Sequence, residues 1–495
     1  MQIWDSNVIV RKSEVYAYPV QVPYHPDKIY PELHVIGQFL DNTNAVYREV
    51  RQLLIDARFD NQNIGKPSWN PLGWLVQPGM TVLLKPNFVR HYSDREPDTS
   101  GLITHGSVIR AVIDYVYLAL RGRGRILIAD SPQDDADFEA IKDISGISAI
   151  QRHFMDSVRY DIECYDLRQY ATIKKNGVAV NKISLFGDPK GYRVIDLGDT
   201  SALSEIDHLS KKFYGADFDV AELRSHHRIG THRYCISQTV LEADVIINLP
   251  KMKTHKKCGV TLSMKNLVGI NGNKNYLPHY TLGLPLNGGD QFCENSIMNL
   301  MENSILSFYK KLFKNRLDLA SSLGVPLKSV GKGVFGDTEK GKIRSGNWYG
   351  NNTIWRTVLD LNSILLFSDA EGNITDEQQR GYLSIVDGIV GGEGNGPLAC
   401  KNKPAGFLVM GFNPLHTDIV ASYCMGFDPS QMHKFSGALR RNLLHAQAHP
   451  ELPSFCVFNG SQISCEELAQ RYAEPFEPHV GWMIICLSKP KGLAA

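Results

Sequence analysis

What this chain of 495 residues lacks narrows it more than its bulk composition does. No apolar run approaches the ~18 residues that a membrane span needs. The first residues, MQIWDSNVIVRKSEVY, carry neither the basic start nor the apolar stretch of a secretion signal, so cytoplasmic residence is the expectation. The nine cysteines are scattered from Cys164 to Cys486 with no C-x-x-C pair among them, which fits reduced thiols and gives no zinc ribbon or iron–sulfur motif. Formal net charge is +1, so no overall basic field argues for nucleic acid. There is no internal repeat and no low-complexity tract. What remains is a soluble globular chain long enough for two domains or one elaborated α/β unit, and a homo-oligomer is compatible with it.

Charge is concentrated locally instead. Val245, Ile246, Ile247 and Leu249 form a short apolar run punctuated by Asn248 and Pro250, the pattern of a buried strand that stops near the proline. Directly after it come Lys251, Lys253, His255, Lys256, Lys257 and Lys265, interleaved with Thr254, Thr261, Ser263 and Asn266, with Gly259 and Gly269 at the turns. Cations and hydroxyl donors gathered where a parallel strand ends suit a small anionic ligand. The bland alternative is a solvated lysine-rich loop.

Earlier in the chain, residues 81–90 read as a strand ending in Lys85, Pro86 and Asn87. Thr104 and His105 lead into a helix with Val108, Ala111, Val112, Tyr115 and Val116 at helical spacing, capped by Thr104 or Ser107. A second strand over 125–130 ends in Asp130 and Ser131, completing a βαβ unit. Three apolar strands thus end in polar tips, and ligand crevices of open parallel sheets lie outside strand carboxyl ends. Residues 183–186 and 192–197 read as a pair of strands around the 187–191 turn. His226 and His227 are adjacent, and neighbours point apart, so a shared role for both is not expected, while one of them stays open as a functional residue. Residues 290–325 read as helical and 326–353 as a mobile loop.

The other unusual stretch is 387–397. Asp387 follows an apolar run, and five glycines within nine residues surround Glu393 and Asn395. Glycine lets backbone N–H groups converge on an anion, or turns the chain tightly enough to aim a carboxylate. It is neither a G-x-x-x-x-G-K-S/T phosphate loop nor a well-placed G-x-G-x-x-G.

The expected fold is α/β, a mostly parallel sheet flanked by helices, in two lobes with a cleft at the strand carboxyl ends. The expected segments are a lead-in over 1–75 packed on the core and a first lobe over 76–270 with an insertion near 150–230. A second lobe over 271–430 and a helical or peripheral segment over 431–495 follow. The expected function is an enzyme acting on a small anionic, oxygen-rich metabolite by metal-assisted acid/base chemistry such as isomerisation, epimerisation or elimination. His105, Lys251, His255 and Lys265 are the candidate catalytic residues. Lys85, Asn87, Thr104, Ser131, Lys253, Thr254, Thr261, Asn266, Gly394, Asn395 and Gly396 are the candidate anion-binding set. Asp130, Asp387 and Glu393 are the candidate oxygen ligands for a divalent metal, with one histidine as a further candidate. Segments 251–269 and 387–397 should form opposite walls of one pocket, because crowded lysines need counter-charge. Two other classes stay open: a redox or cofactor-maturation protein working with an external iron–sulfur partner, and a non-catalytic anion-binding protein.

LLKPN at 83–87, THGSVIRAVIDYV at 104–116, IADSP at 128–132, INLPKMKTHKKCGVTLSMKNLVGI at 247–270, DGIVGGEGNGP at 387–397 and NPLHTDIVASYCMGFDP at 413–429 together resemble domain-of-unknown-function family 362. The resemblance spans roughly residues 80 to 430, and its label names no reaction. Some members carry iron–sulfur modules; this chain has no cysteine-rich ferredoxin segment. In layout the chain is also similar to nickel-pincer lactate racemases, which by analogy implies His105, Lys251, His255 and Lys265 in a catalytic cleft.

Overall fold

The structure is a computed structural model that describes residues 7–36, 39–175, 178–215, 219–296, 298–299, 301, 343–441 and 453–487. Most of the helical stretch expected over 290–325, and of the loop expected over 326–353, lies outside these residues.

One large sheet organises the molecule. In chain order its strands are β1 (Val8–Lys12), β2 (Thr81–Pro86), β3 (Arg125–Asp130), β4 (Ile162–Asp166), β5 (Val245–Leu249), β6 (Lys251–His255), β7 (Gly259–Val260), β8 (Gly381–Asn395), β9 (Ala399–Gly411), β10 (Phe455–Phe458) and β11 (Ser461–Ser464). The spatial order is β11-β10-β1-β9-β8-β5-β2-β3-β4, with β6 pairing β8 and β7. Neighbours from β8 to β4 are parallel; β9 runs antiparallel to both β8 and β1. The parallel strands are apolar on both faces, as burial under two helical layers requires. Val82 and Leu84 of β2 enter one core and Leu83 the other; Val245 and Ile247 of β5 are split from Ile246 in the same way.

Helices α1 (Ala45–Asp56), α2 (Gly106–Leu120) and α3 (Ile147–Val158) supply one layer. The other contains α4 (Leu262–Asn266), α5 (Ile354–Phe367), α6 (Pro414–Cys424) and α7 (His433–Arg440). α2 is capped by His105, whose Nδ1 accepts from Ser107 N at 3.2 Å, rather than by Thr104 or Ser107. Thr104 is engaged elsewhere: its Oγ1 donates to Leu249 O at 2.6 Å and accepts from Asn87 N at 2.9 Å.

The expected strands over 81–86, 125–130 and 245–249 are all sheet members. The sheet also takes strands from the segments read as lead-in and as helical C-terminal periphery, since β1 pairs with both β9 and β10. The strands on either side of 187–191 do not pair with each other. Val178–Ser184 pairs with Tyr170–Lys175, and Tyr192–Asp196 with Thr231–Ser237. The turn between them is instead fixed by Asp188, which accepts from Thr239 N and Thr239 Oγ1 at 2.8 and 2.5 Å. No helix of the described residues is long and apolar enough to cross a membrane.

Candidate functional site

The chain runs outward from β2 to β3 and β4, then returns to the other side of β2 with β5. β2 and β5 therefore flank the point where the winding direction reverses, and a crevice opens there outside the strand carboxyl ends. It holds a cleft of ≈ 290 Å³. Its lining includes Asn87 after β2, Asp130 and Ser131 at the end of β3, Lys253 and His255 on β6, Lys257 and Thr261 beyond it, Lys265 and Asn266 on α4, and Lys274 and His279 further on.

The floor is a buried ion pair. Lys85 Nζ lies 2.6 Å from Asp130 Oδ1, which also accepts from Ser131 N at 2.8 Å, while Asp130 Oδ2 accepts from Phe88 N at 2.7 Å. A Cβ at position 269 would overlap both Asp130 Oδ1 and Lys85 Nζ, so only glycine fits there. An amide chain continues the floor toward β5: Asn87 Nδ2 donates to Asn266 Oδ1, and Asn266 Nδ2 to Asn248 Oδ1, both at 2.7 Å.

Above this floor the charge is positive and uncompensated. Among the described residues Lys253 Nζ finds only the Leu102 carbonyl, at 2.6 Å; Lys274 Nζ finds Ser131 O and Oγ at 2.8 and 2.9 Å; Lys257 Nζ finds the Ser345 carbonyl. Lys265 Nζ makes no hydrogen bond and no ion pair among the described residues. Burial disfavours the ammonium form in each, with like-charge neighbours adding to it. Lys253, Lys257 and Lys274 are drawn down to about 7 and Lys265 to about 8. Lys265 is one of the like charges acting on the other three.

The two histidines are held neutral in opposite tautomers. His255 Nδ1 accepts from Lys257 N at 3.1 Å and Cys258 N at 3.2 Å, so its proton sits on Nε2; burial and the nearby lysines push its pKa well below 6.5. His279 Nδ1 is 2.7 Å from the Leu277 carbonyl and must donate to it, leaving Nε2 as an acceptor; burial and Lys265 lower its pKa to about 3. Thr261 Oγ1 and Asn87 Oδ1 are buried in the lining without a hydrogen-bond partner among the described residues.

Of the residues singled out from the sequence, Asn87, Asp130, Ser131, Lys253, His255, Thr261, Lys265 and Asn266 meet in this cleft, with Lys85 directly behind Asp130. His105 and Lys251 do not line it. They belong to a dry cluster in which Lys251 Nζ contacts Asp387 Oδ2 at 2.9 Å and Tyr18 Oη at 2.6 Å, Tyr18 donates to Asp387 Oδ1 at 2.5 Å, and the His105 ring stacks on Tyr18 at 4.0 Å. Burial first, then Lys251, lowers His105 to about 3.

Segments 251–269 and 387–397 do meet, but as adjacent strands rather than as walls across a gap. Lys251 opposes Asp387 and Lys253 opposes Gly392. The glycines serve close backbone packing: a Cβ at Gly396 would overlap Thr254 O, and one at Gly388 would press on Met252. Thr254 Oγ1 is used up by Gly394 O at 3.0 Å, and Gly396 O accepts from Lys256 N at 3.0 Å. Gly394, Asn395 and Gly396 are therefore strand and turn residues outside the lining; only Pro397 and Leu398 reach it. The three carboxylates expected to share a metal are separately committed: Asp130 to Lys85, Asp387 to Lys251, and Glu393 to Lys401 at 3.6 Å and Glu477 N at 3.0 Å. They do not fit one ion, and among the described residues no group of three or more His, Cys, Asp or Glu side chains can hold a metal. His227 is tied to Tyr276 O at 2.9 Å and His226 stacks on the Tyr276 ring.

Lys274 and His279 were not singled out from the sequence, because they lie beyond the apolar-then-basic pattern that marks 245–269. The only sequence signal is their position after Gly269 and the Asn271–Asn273 turn residues. Fold and cleft together define an α/β protein with a lysine-lined crevice at the switch point of a parallel sheet. The chain belongs to the family described as Domain of unknown function (DUF362), whose model matches residues 82–195 and 187–423, a span containing every cleft residue named above. No curated protein and no solved structure matches the chain.

Proposed function

We propose that the cleft binds a small anionic metabolite through a carboxylate or phosphate group, and that the protein is an enzyme performing acid/base chemistry on it. One observation carries this reading. Lys253, Lys257, Lys265 and Lys274 line a single cleft whose one lining carboxylate, Asp130, is already neutralised by Lys85. Crowding ammonium groups in a desolvated space is costly without counter-charge, and an incoming anion supplies it. The free hydroxyl of Thr261 and the Nε2–H of His255 are neutral donors suited to the same ligand. Lysines poised near neutrality and the unprotonated Nε2 of His279 are suited to give and take protons.

Calorimetric titration of the full chain with sulfate and with malonate tests the binding part. Micromolar to millimolar affinity is expected, weakened about tenfold or more in Lys274→Met, as for loss of a charged hydrogen bond. No heat from either anion, with no shift in melting temperature, would remove the basis of the proposal.

A further inference from the structure

Among the cleft lysines Lys253, Lys257, Lys265 and Lys274, Lys265 stands apart. Lys253, Lys257 and Lys274 each have their Nζ drawn to a carbonyl of the wall, at Leu102, Ser345 and Ser131. Lys265 has no such anchor among the described residues, yet it lines the same cleft. Its backbone, in contrast, is fixed. α4 begins at Leu262, held at φ 50° in the left-handed region that a leucine rarely adopts. The first-turn N–H groups of Ser263 and Met264, both buried, donate to the Asp418 carboxylate at 2.6 and 3.0 Å, and Lys434 backs that carboxylate at 3.2 Å. A rigid stem therefore carries a free amine into a space crowded with other cations. Desolvation and neighbouring ammonium groups favour the neutral amine in all four lysines, and what suits Lys265 in particular to act as a nucleophile is that its amine is not held by a wall carbonyl among the described residues.

Resting on the anion-binding reading above, we propose that Lys265 condenses with the carbonyl group of an anionic aldehyde or 2-oxo acid to form an iminium. The three anchored lysines would hold the anionic group while Lys265 reaches the carbonyl carbon. The balance is complete without an outside reactant. The Lys265 nitrogen attacks the carbonyl carbon, and the C=O pair moves to oxygen. One proton from that nitrogen and one from a neighbouring ammonium convert the oxygen to water. Water then leaves as the N=C bond forms. The Nε2 acceptor of His279 and the Ser131 hydroxyl are lining groups able to relay those protons. The buried, unpartnered Asn87 Oδ1 is an acceptor for the hydroxyl of the tetrahedral intermediate. A carbonyl next to the anionic group matters: as an iminium it is an electron sink, which makes the neighbouring C–H or C–C bond labile.

Glyoxylate, the smallest anionic aldehyde, is the probe. The full chain is incubated with glyoxylate and cyanoborohydride near neutral pH, digested, and mapped by mass spectrometry for carboxymethyl-lysine. In parallel, sulfate binding to the same preparation is measured by calorimetry. Lys265 is expected to be labelled at least about tenfold faster than the exposed Lys211, the equivalent of one unit of pKa. Sulfate should suppress that labelling, and the uncharged propionaldehyde should lose the preference for Lys265. Lys265→Arg should bind sulfate and yield no rapid label anywhere in the cleft. Labelling of Lys265 no faster than Lys211, or rapid labelling of Lys253, Lys257 or Lys274 in its place, overturns the inference. If sulfate still binds in that case, the anion-binding reading stands; if it does not, both fall together.

Discussion

Lys251 and Lys253 stand two residues apart on one strand, both fully buried, and differ in what faces them. Lys251 meets the Asp387 carboxylate, which also receives Tyr18 Oη and the His105 N–H. Lys253 meets a backbone carbonyl. An irregularity in β8 creates the difference, because the partner of β6 advances from Asp387 to Gly392 between the two lysines. The same contrast holds more widely: Lys85 and Lys434 sit on Asp130 and Asp418, while Lys257, Lys265 and Lys274 have no carboxylate within ion-pair distance among the described residues. Paired lysines hold the fold. Unpaired ones sit at the cleft, where, on the anion-binding proposal, stability is exchanged for a charge that a ligand would satisfy.

The contrast breaks most sharply in stability. Lys251→Met leaves Asp387 buried without its cation, and unfolding free energy should fall by about 3–5 kcal/mol in chemical denaturation. Lys253→Met removes a cation with no counter-ion and should change stability by no more than about 1 kcal/mol in either direction. Equal losses in the two variants would end the distinction. Gly269→Ala comes next. Its methyl group must displace the Lys85–Asp130 pair under the cleft, a forced overpacking expected to cost about 1–3 kcal/mol and to weaken sulfate binding together with stability. In Lys253→Met the two readouts should instead separate, with sulfate affinity down about tenfold or more and stability held.

How much of this was legible in the chain follows from the same physics. Strand ends were visible because apolar runs stop at Pro86, at Asp130–Ser131 and at Pro250, and parallel packing makes those runs continuous rather than alternating. The sequence also pointed to Lys253, His255 and Lys265 as cleft residues, through lysines crowded behind one strand. It could not separate Lys251 from Lys253, since both are lysines in one short segment and the irregularity that pairs only the first lies in another strand. His105 was legible as a residue at a helix start. Whether its ring faces a ligand or stacks on Tyr18 depends on a contact across 87 residues of chain. The glycines of 387–397 misled for a related reason: glycine permits both an anion-cradling turn and tight strand packing, and only the neighbouring Thr254 and Met252 decide between them. Strands β10 and β11 escaped because each has only four residues.

The smallest expected effect is the most specific to the unpaired set, and its sign is fixed. Lys253, Lys257 and Lys274 fall to about 7 and Lys265 to about 8, from an ordinary 10.5, with burial as the main cause. Between those values the unfolded chain binds more protons than the folded one, so stability rises with pH across that window and is lost as pH falls toward 7. A bound anion reverses the preference by favouring the ammonium forms. Sulfate, whose charge is constant over the range, should therefore raise the melting temperature most at about pH 6 and progressively less toward about pH 9, measured against chloride at equal ionic strength. The doubly substituted Lys265→Met, Lys274→Met chain should lose most of that slope while keeping its fold, because neither lysine is paired with a carboxylate. A sulfate effect that is flat with pH, or that grows toward pH 9, would mean that the anion sits on permanently charged surface residues and that the cleft lysines are not the groups it meets.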